Sequence, residues 1–221
     1  MDKRLWPPIL AGAGALGILA STARENGRAL DRRLYRVINT ERGPLADAAF
    51  KGVTELGSIW ASVGATAALA SMSRRREAID ALGAATAMWG LGQVLKRAVL
   101  RPRPYRSLDA FRLLIEEPRG TTWPSSHPAV LLAFATVVAR NLETPRAVRA
   151  GLGALAGAVG LSRVYLGVHY PADVAGGLLL GWGAGRLWSS LMSPRLVPTE
   201  GLRARQVLEA PFQRALGTVS R

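Results

Sequence analysis

The sequence predicts an all-α protein, a polytopic membrane bundle of about six transmembrane helices. Apolar stretches of helical length recur along the chain, and charged connections separate them. They occupy residues 6–23, 53–73, 79–100, 128–139, 147–161 and 174–192. Two to four of them reach the roughly 20 residues that a membrane-crossing helix needs, and the many Ala and Gly residues allow helices to pack closely in a bilayer. The mean hydropathy is low for a membrane protein, so a soluble helical bundle is the alternative.

The first stretch has two interpretations. Lys3 and Arg4 precede an apolar run that ends in small residues at 20–23, which resembles a cleavable signal peptide. We expect an uncleaved span instead, because it completes an even number of helices. The fourth stretch, 128–139, is short, so its helix must begin near Ser125 or run past Arg140.

An amphipathic helix is expected between the first two spans, within residues 28–50. The apolar positions recur at helical spacing, and arginines occupy the opposite face; the two sets are Leu30, Leu34, Val37 and Ile38, and Arg32, Arg33 and Arg36. This pattern is typical of a helix that lies in the membrane interface, although a solvated connecting helix fits it equally. Residues 1–193 are predicted to form one membrane-embedded domain, and residues 194–221 a mobile cytoplasmic tail.

The distribution of charge sets an orientation. With the N-terminus inside, six spans place the basic residues of 74–76, 140–149 and the tail on the cytoplasmic side, as membrane proteins prefer. The loops around 101–127 and 162–173 then face outward, although they too are rich in arginine. Those arginines therefore need another role.

Composition excludes several classes of function. The net charge is +14, but the basic residues are clustered between apolar runs and form no continuous stripe, so nucleic acid is not expected as a partner. The chain has no Cys, which excludes disulfides, thiol nucleophiles and Cys-ligated metals. Between residues 118 and 199 the only carboxylates are Glu143 and Asp173, too few for a two-metal phosphatase. A phosphate would have to be neutralised by Lys and Arg.

Three segments carry the residues for such chemistry. In the first, Lys96 and Arg103 stand seven apart at the end of the third span, where Pro102 and Pro104 stop the helix. Taken alone, this segment could simply be a positively charged stop at the membrane edge.

The second segment is Pro-Ser-Ser-His-Pro at 124–128. Ser125 and Ser126 ahead of a helix, with Pro128 in its first turn, indicate an N-terminal cap, and the free N–H groups of such an end bind anions. Capping explains the two serines but not His127.

The third segment contains Ser162, Arg163, His169 and Asp173. If the chain is helical across Pro171, His169 and Asp173 lie on one helical face. Asp173 could then accept a hydrogen bond from one ring nitrogen and leave the other free to meet a substrate, or the two could form a purely structural pair. Because successive spans alternate in direction, all three segments are expected on the same membrane face.

In order and spacing, these segments resemble the type-2 phosphatidic acid phosphatase and haloperoxidase superfamily, whose pattern is K-x6-RP, PSGH and SR-x5-H-x3-D. The first motif matches at Lys96, Arg103 and Pro104, and the third matches completely. The second departs, because Ser126 stands where the family usually has Gly, which puts phosphate contact through that amide in doubt. The motifs lie within residues 96–173.

The resemblance implies a metal-independent lipid phosphatase that needs no cofactor. His169 would attack phosphorus and form a phosphohistidine, Asp173 would orient it, and His127 would protonate the leaving group and then activate water. The expected phosphate-binding residues are Lys96, Arg103, Ser125, Ser126 and Arg163. The active site would face the extracytoplasmic side, within reach of lipid substrates in the bilayer.

The physiological lipid and the oligomeric state stay open. Polyprenyl pyrophosphate, phosphatidic acid, phosphatidylglycerol phosphate and a prenyl-linked phosphosugar are all candidate substrates. A lipid phosphotransferase that uses the same site is an alternative function, and a catalytically silent membrane scaffold is another, suggested only by Ser126.

Overall fold

Helices account for nearly all the regular structure in the computed structural model, which describes residues 5–196. The nine α-helices of this part of the chain are α1 (Trp6–Ala23), α2 (Glu25–Ile38), α3 (Pro44–Glu55), α4 (Ile59–Ser71), α5 (Arg75–Ala98), α6 (Ser126–Asn141), α7 (Arg146–Tyr165), α8 (Pro171–Leu191) and the single turn α9 (Ser193–Leu196). A 3-10 turn at Pro104–Arg106 lies in the long α5–α6 connection. The all-α prediction is therefore confirmed. Lys3, Arg4 and the predicted tail beyond residue 196 lie outside the described residues.

The predicted helix at 53–73 is wrong as a continuous element. The chain turns at Gly57, between α3 and α4, and the Ser58 side chain caps the new helix by accepting a hydrogen bond from the Ala61 N–H at 3.0 Å. A Cβ on Gly57 would lie 2.8 Å from the Cβ of His127. The close approach of α6 therefore requires a glycine at this turn.

Only some of the predicted spans have the length and composition of membrane helices. Among residues 5–196, α1 and α7 are long and apolar enough to cross a bilayer, and α4 is apolar but has 13 residues. Helix α5 has 24 residues but begins with charged ones, and α6 has 16 residues. Helix α6 begins at Ser126, as its short apolar run required.

The amphipathic segment forms two helices, α2 and α3. Helix α2 buries Asp31 and Tyr35 against the ends of α7 and α8. Its apolar positions Leu30, Leu34 and Val37 are exposed instead. The face that holds α2 in place is therefore polar and aromatic, while the apolar face lies on the outside of the bundle.

Helices α6 and α8 are in close contact along one glycine-lined face. Gly177, Gly181 and Gly185 recur every four residues on α8, so they lie on one side of the helix. An added Cβ on Gly177 would lie 2.4 Å from the Ser125 carbonyl oxygen, and one on Gly181 would lie 2.3 Å from that of Ala129. The absence of side chains thus brings the two backbones together and fixes the start of α6 relative to the start of α8.

The other end of the bundle is held by a buried carboxylate. Asp80 of α5 accepts hydrogen bonds from Asn141 Nδ2 of α6 at 2.9 Å and from Trp188 Nε1 of α8 at 2.7 Å. An apolar core that includes Ala81, Phe134 and Val137 packs beside it. Helices α6 and α8 are therefore held together at both ends, by the glycine contacts at one end and by Asp80 at the other.

We predict that Gly181→Ala lowers the free energy of unfolding by about 1–3 kcal/mol, because the methyl group must push α6 and α8 apart. Gly157→Ala on α7 is the matched control, since its Cβ would meet nothing within 4 Å and alanine favours a helix. The check is the Tm of each variant in detergent. An unchanged Tm for Gly181→Ala would contradict the close packing described above.

Candidate active site

A cavity of about 270 Å³ lies where α5 and α7 end and where α6 and α8 begin. Six of the eight residues predicted from the sequence line it: Lys96, Arg103, Ser126, His127, Arg163 and His169. The other two, Ser125 and Asp173, are fully buried in the adjacent wall. The three motifs, which are far apart in the sequence, are thus brought together at one end of the bundle.

The cavity is lined by positive charge. Among residues 5–196, the cationic residues that line it are Lys96, Arg103, Arg119 and Arg163, and none of its lining residues is a carboxylate. The Nε of Arg163 is buried without a hydrogen-bond partner; its Nη1 donates to Thr54 Oγ1 at 3.0 Å. No described residue accepts a hydrogen bond from Lys96 Nζ. Partly or fully buried cations that lack a carboxylate partner are costly, so this arrangement favours an anionic ligand.

Arg103 also holds the backbone around the cavity. Its guanidinium donates three hydrogen bonds to carbonyl oxygens: Nε to Gly120 at 3.1 Å, Nη1 to Val168 at 2.9 Å and Nη2 to Arg119 at 3.3 Å. Val168 directly precedes His169. One side chain therefore fixes both the loop at the cavity edge and the backbone that carries the histidine.

The helical pairing of His169 with Asp173 is wrong. Helix α8 begins at Pro171, since proline is suited to the first position of a helix, and His169 lies outside it. His169 Nδ1 and Asp173 Oδ2 are 3.7 Å apart, which is too far for a hydrogen bond. Asp173 instead closes a capping box, in which its Oδ2 accepts from the Tyr170 N–H at 2.7 Å.

Thr122 connects His169 to Asp173. Its hydroxyl donates to Asp173 Oδ2 at 2.6 Å and lies 3.1 Å from His169 Nδ1. A hydroxyl has a single hydrogen. Since that hydrogen points to the carboxylate, the Thr122 oxygen must accept from Nδ1–H. This direction of hydrogen bonding assigns the Nδ1–H tautomer and leaves the lone pair on Nε2. A direct hydrogen bond from His169 to Asp173 would have selected the same tautomer.

The surroundings favour a neutral His169 ring. Burial lowers the pKa of His169 well below its usual 6.5, and the charges of Arg103, Lys96 and Arg163 lower it further. A cation at this position would lose hydration and be repelled by its neighbours. At neutral pH the ring is therefore unprotonated at Nε2 and able to act as a nucleophile.

Sequence reasoning missed two charged residues that support Asp173. Arg101 donates from Nη1 to Asp173 Oδ1 and from Nη2 to Asp31 Oδ2, both at 2.5 Å. Asp31 Oδ1 also accepts from the Ala172 N–H at 2.9 Å. Arg101 stands in the basic first segment, but nothing in the spacing distinguishes it from its neighbours. Asp31 is on α2, about 70 residues earlier in the chain.

The side chain of Ser126, which stands where the family usually has glycine, fits without a clash. The Oγ of Ser126 is buried without a hydrogen-bond partner, as is that of Ser125. A Cβ on Gly92 of α5 would lie 3.0 Å from Ser126 Oγ. A glycine in the facing helix therefore leaves room for the added side chain, and Ser126 still lines the cavity.

The chain resembles known proteins over the part that carries the three motifs. Residues 77–196 match the PAP2 superfamily. A decaprenylphosphoryl-5-phosphoribose phosphatase of Mycobacterium tuberculosis is 33% identical over 132 residues, which are 60% of this chain and 71% of that protein. An undecaprenyl-diphosphatase of Sulfolobus acidocaldarius is 34% identical over 122 residues, which are 54% of this chain and 55% of that protein.

The fold has a counterpart among solved structures. The crystal structure of a transmembrane PAP2-type phosphatidylglycerolphosphate phosphatase from Bacillus subtilis superposes with a TM-score of 0.71. The match covers 84% of this chain and 95% of that one, at 24% sequence identity. The family match covers more than half of the chain and contains all the motif residues. The chain therefore belongs to the PAP2 superfamily and is a hydrolase of the phosphatase class.

Proposed function

We propose that this protein is a membrane lipid phosphatase that removes a phosphate group through a phosphohistidine intermediate. The cavity carries the proposal, because the described residues that line it include four cations and two histidines but no carboxylate. An anionic phosphate meets complementary charge there, and it meets a neutral ring nitrogen able to attack it.

In the first step, His169 Nε2 attacks phosphorus. A P–N bond forms as the P–O bond to the lipid breaks, and His127, acting as a general acid in its protonated form, donates a proton to the departing oxygen. Both rings line the same cavity. The Thr122 oxygen keeps its hydrogen bond to Nδ1–H throughout, so the ring stays oriented.

In the second step, the phosphohistidine is hydrolysed. His127, now neutral, accepts a proton from water as the water oxygen attacks phosphorus, the P–N bond breaks, and inorganic phosphate leaves. Lys96, Arg103 and Arg163 stabilise the charge on the phosphoryl oxygens in both steps. The Ser126 hydroxyl and the free N–H groups at the start of α6 add neutral donors.

The lipid would enter beside α4 and α5. Trp60 and Trp89 line the cavity and also face the outside of the bundle, with 77% and 44% of their surfaces exposed. An apolar chain can lie between them while the phosphate reaches the cations. Because the relatives act on decaprenyl- and undecaprenyl-linked phosphates by their names, we propose a polyprenyl phosphosugar or polyprenyl diphosphate as the substrate.

We further propose a six-span arrangement with the cavity on the extracytoplasmic side. Helices α1, α4, α5, α6, α7 and α8 would be the spans, and α2 would lie in the interface on its exposed apolar face. The location of the cavity at the ends of α5 and α7 and the starts of α6 and α8 supports one shared face. The structural relative named above is a transmembrane protein.

The function is tested by phosphate release in detergent from a substrate panel: decaprenyl diphosphate, a decaprenyl phosphosugar, phosphatidic acid and phosphatidylglycerol phosphate. We expect the polyprenyl substrates to be hydrolysed fastest. His169→Ala should lose at least about 10³-fold in kcat, because it lacks the nucleophile. Activity of His169→Ala near the wild-type level would refute the covalent mechanism.

The intermediate can be trapped with His127→Gln. An aryl phosphate needs little protonation of its leaving group, so this variant should still form the phosphoenzyme but hydrolyse it slowly. We expect the protein to carry a phosphoryl label that is labile in acid and stable in alkali. The variant that also carries His169→Ala should show no such label. Label that survives His169→Ala would place the covalent bond elsewhere.

We predict that Thr122→Val lowers kcat on the order of 100-fold and leaves KM nearly unchanged, because the isosteric side chain cannot select the Nδ1–H tautomer. Thr122→Ser retains the hydroxyl and should recover most of the rate. At pH 6.5 the His169 ring should already be neutral, since its pKa lies lower. Equal loss in both variants would show that the hydroxyl is not needed.

The topology is testable because the chain has no Cys. We expect Glu117→Cys, in the α5–α6 connection, to react with a membrane-impermeant maleimide on intact cells. Arg146→Cys, at the start of α7, should react only after the cells are lysed. The reverse pattern would place the cavity on the cytoplasmic side.

A further inference from the structure

A second cavity, of about 770 Å³, lies among α1, α2 and the end of α5. It shares no lining residue with the active-site cavity. Arg101 and Tyr170 form part of its wall, and the Arg101 guanidinium lies over the Tyr170 ring, 4.6 Å from its centroid. Asp173 and His169 lie behind Arg101, so the two cavities are separated by the network that orients the proposed nucleophile.

The lining changes from apolar to cationic along the bundle. On α1 it runs from Leu16 through Leu19 to Ala23, a distance of about 10 Å at the rise of an α-helix. Beyond the end of α1 it is lined by Arg28, Arg32 and Arg101, and no carboxylate of the described part of the chain lines it. This order, with an apolar groove leading to a cluster of guanidinium groups, matches an amphiphile with an anionic head. The volume is in the range of ligand sites.

The charges in and behind the cavity sum to a net charge that one anion would neutralise. Arg101 is paired with both Asp31 and Asp173. Within residues 5–196 the Arg28 side chain donates only to the Ala23 carbonyl oxygen, at 2.9 Å, and none of these residues pairs with the Arg32 guanidinium. Three guanidinium groups against two carboxylates leave a single positive charge. One phosphodiester would neutralise that charge.

We propose that this cavity binds an anionic phospholipid, with its phosphodiester on Arg28, Arg32 and the outer edge of Arg101 and one acyl chain along α1. The bound lipid is distinct from the proposed substrate, because Arg101 and the Asp173 carboxylate stand between this cavity and His169. Binding does not rest on the proposed function, although the site adjoins the residues on which that function depends.

Binding is tested in the His169→Ala protein, so that turnover cannot contribute. Phosphatidylglycerol titrated into a neutral detergent should raise the Tm progressively, more than phosphatidylcholine does. Adding Arg28→Gln and Arg32→Gln should weaken the apparent affinity roughly 30-fold, from the loss of two guanidinium groups that contact the phosphodiester. Arg33→Gln with Arg36→Gln, on the same helix but outside the cavity, is the matched control and should leave the affinity unchanged.

A second variant tests the groove without altering charge. Ala20→Trp, which fills the apolar part, should reduce the response to phosphatidylglycerol as the paired arginine substitutions do. The proposal fails if phosphatidylcholine stabilises as well as phosphatidylglycerol. It also fails if the cavity variants and the control respond alike.

Discussion

The carboxylate of Asp173 is the point on which the functional end of the bundle depends. It is fully buried, and a buried charge is tolerated only when its hydrogen-bonding capacity is met. The groups that meet it come from three parts of the chain: the Tyr170 N–H, the Thr122 hydroxyl and the Arg101 guanidinium. The need to satisfy one carboxylate therefore draws the long α5–α6 connection onto the start of α8.

The same residue links helix geometry to chemistry. Its backbone carbonyl accepts from the Ser125 N–H at 3.0 Å, which holds the segment that leads into α6. The glycines of α8 then bring α6 alongside, since any larger side chain at Gly177 or Gly181 would meet its backbone. The placement of His127 relative to His169 thus follows from the capped start of α8 and from the close packing of α6 against α8. Neither contact requires a ligand.

The sequence predicted the motif residues better than their contacts. Helix periodicity and alternating direction were enough to place Lys96, His127, Arg163 and His169 at one end of the bundle. The prolines after α5 were correctly interpreted as a helix stop. Pro171, however, begins α8, so the assumption of a helix that continues across Pro171 gave the wrong geometry for His169 and Asp173. Thr122 could not be identified, because a threonine in an irregular loop has no periodic pattern to mark it.

The contact between Asp31 and Arg101 could not be predicted from local sequence patterns, for a different reason. Asp31 contacts Arg101 across about 70 residues, and the chain contains many arginines of similar local context. The apolar stripe of α2 was visible in the sequence, but it pointed to the face that is exposed in the bundle, while the buried face is formed by Asp31 and Tyr35. Hydrophobic periodicity identifies the helix here without identifying what it packs against.

The direction of the Thr122 hydrogen bond has a consequence for the proposed covalent intermediate. Because the threonine hydrogen is committed to Asp173, the only role left for its oxygen is that of an acceptor, and Nδ1 keeps its own hydrogen. A ring phosphorylated at Nε2 would then remain a cation. An imidazolium is a far better leaving group than a neutral imidazole, so the intermediate would be short-lived. One oriented hydroxyl would thereby make the enzyme a catalyst of hydrolysis rather than a store of phosphate.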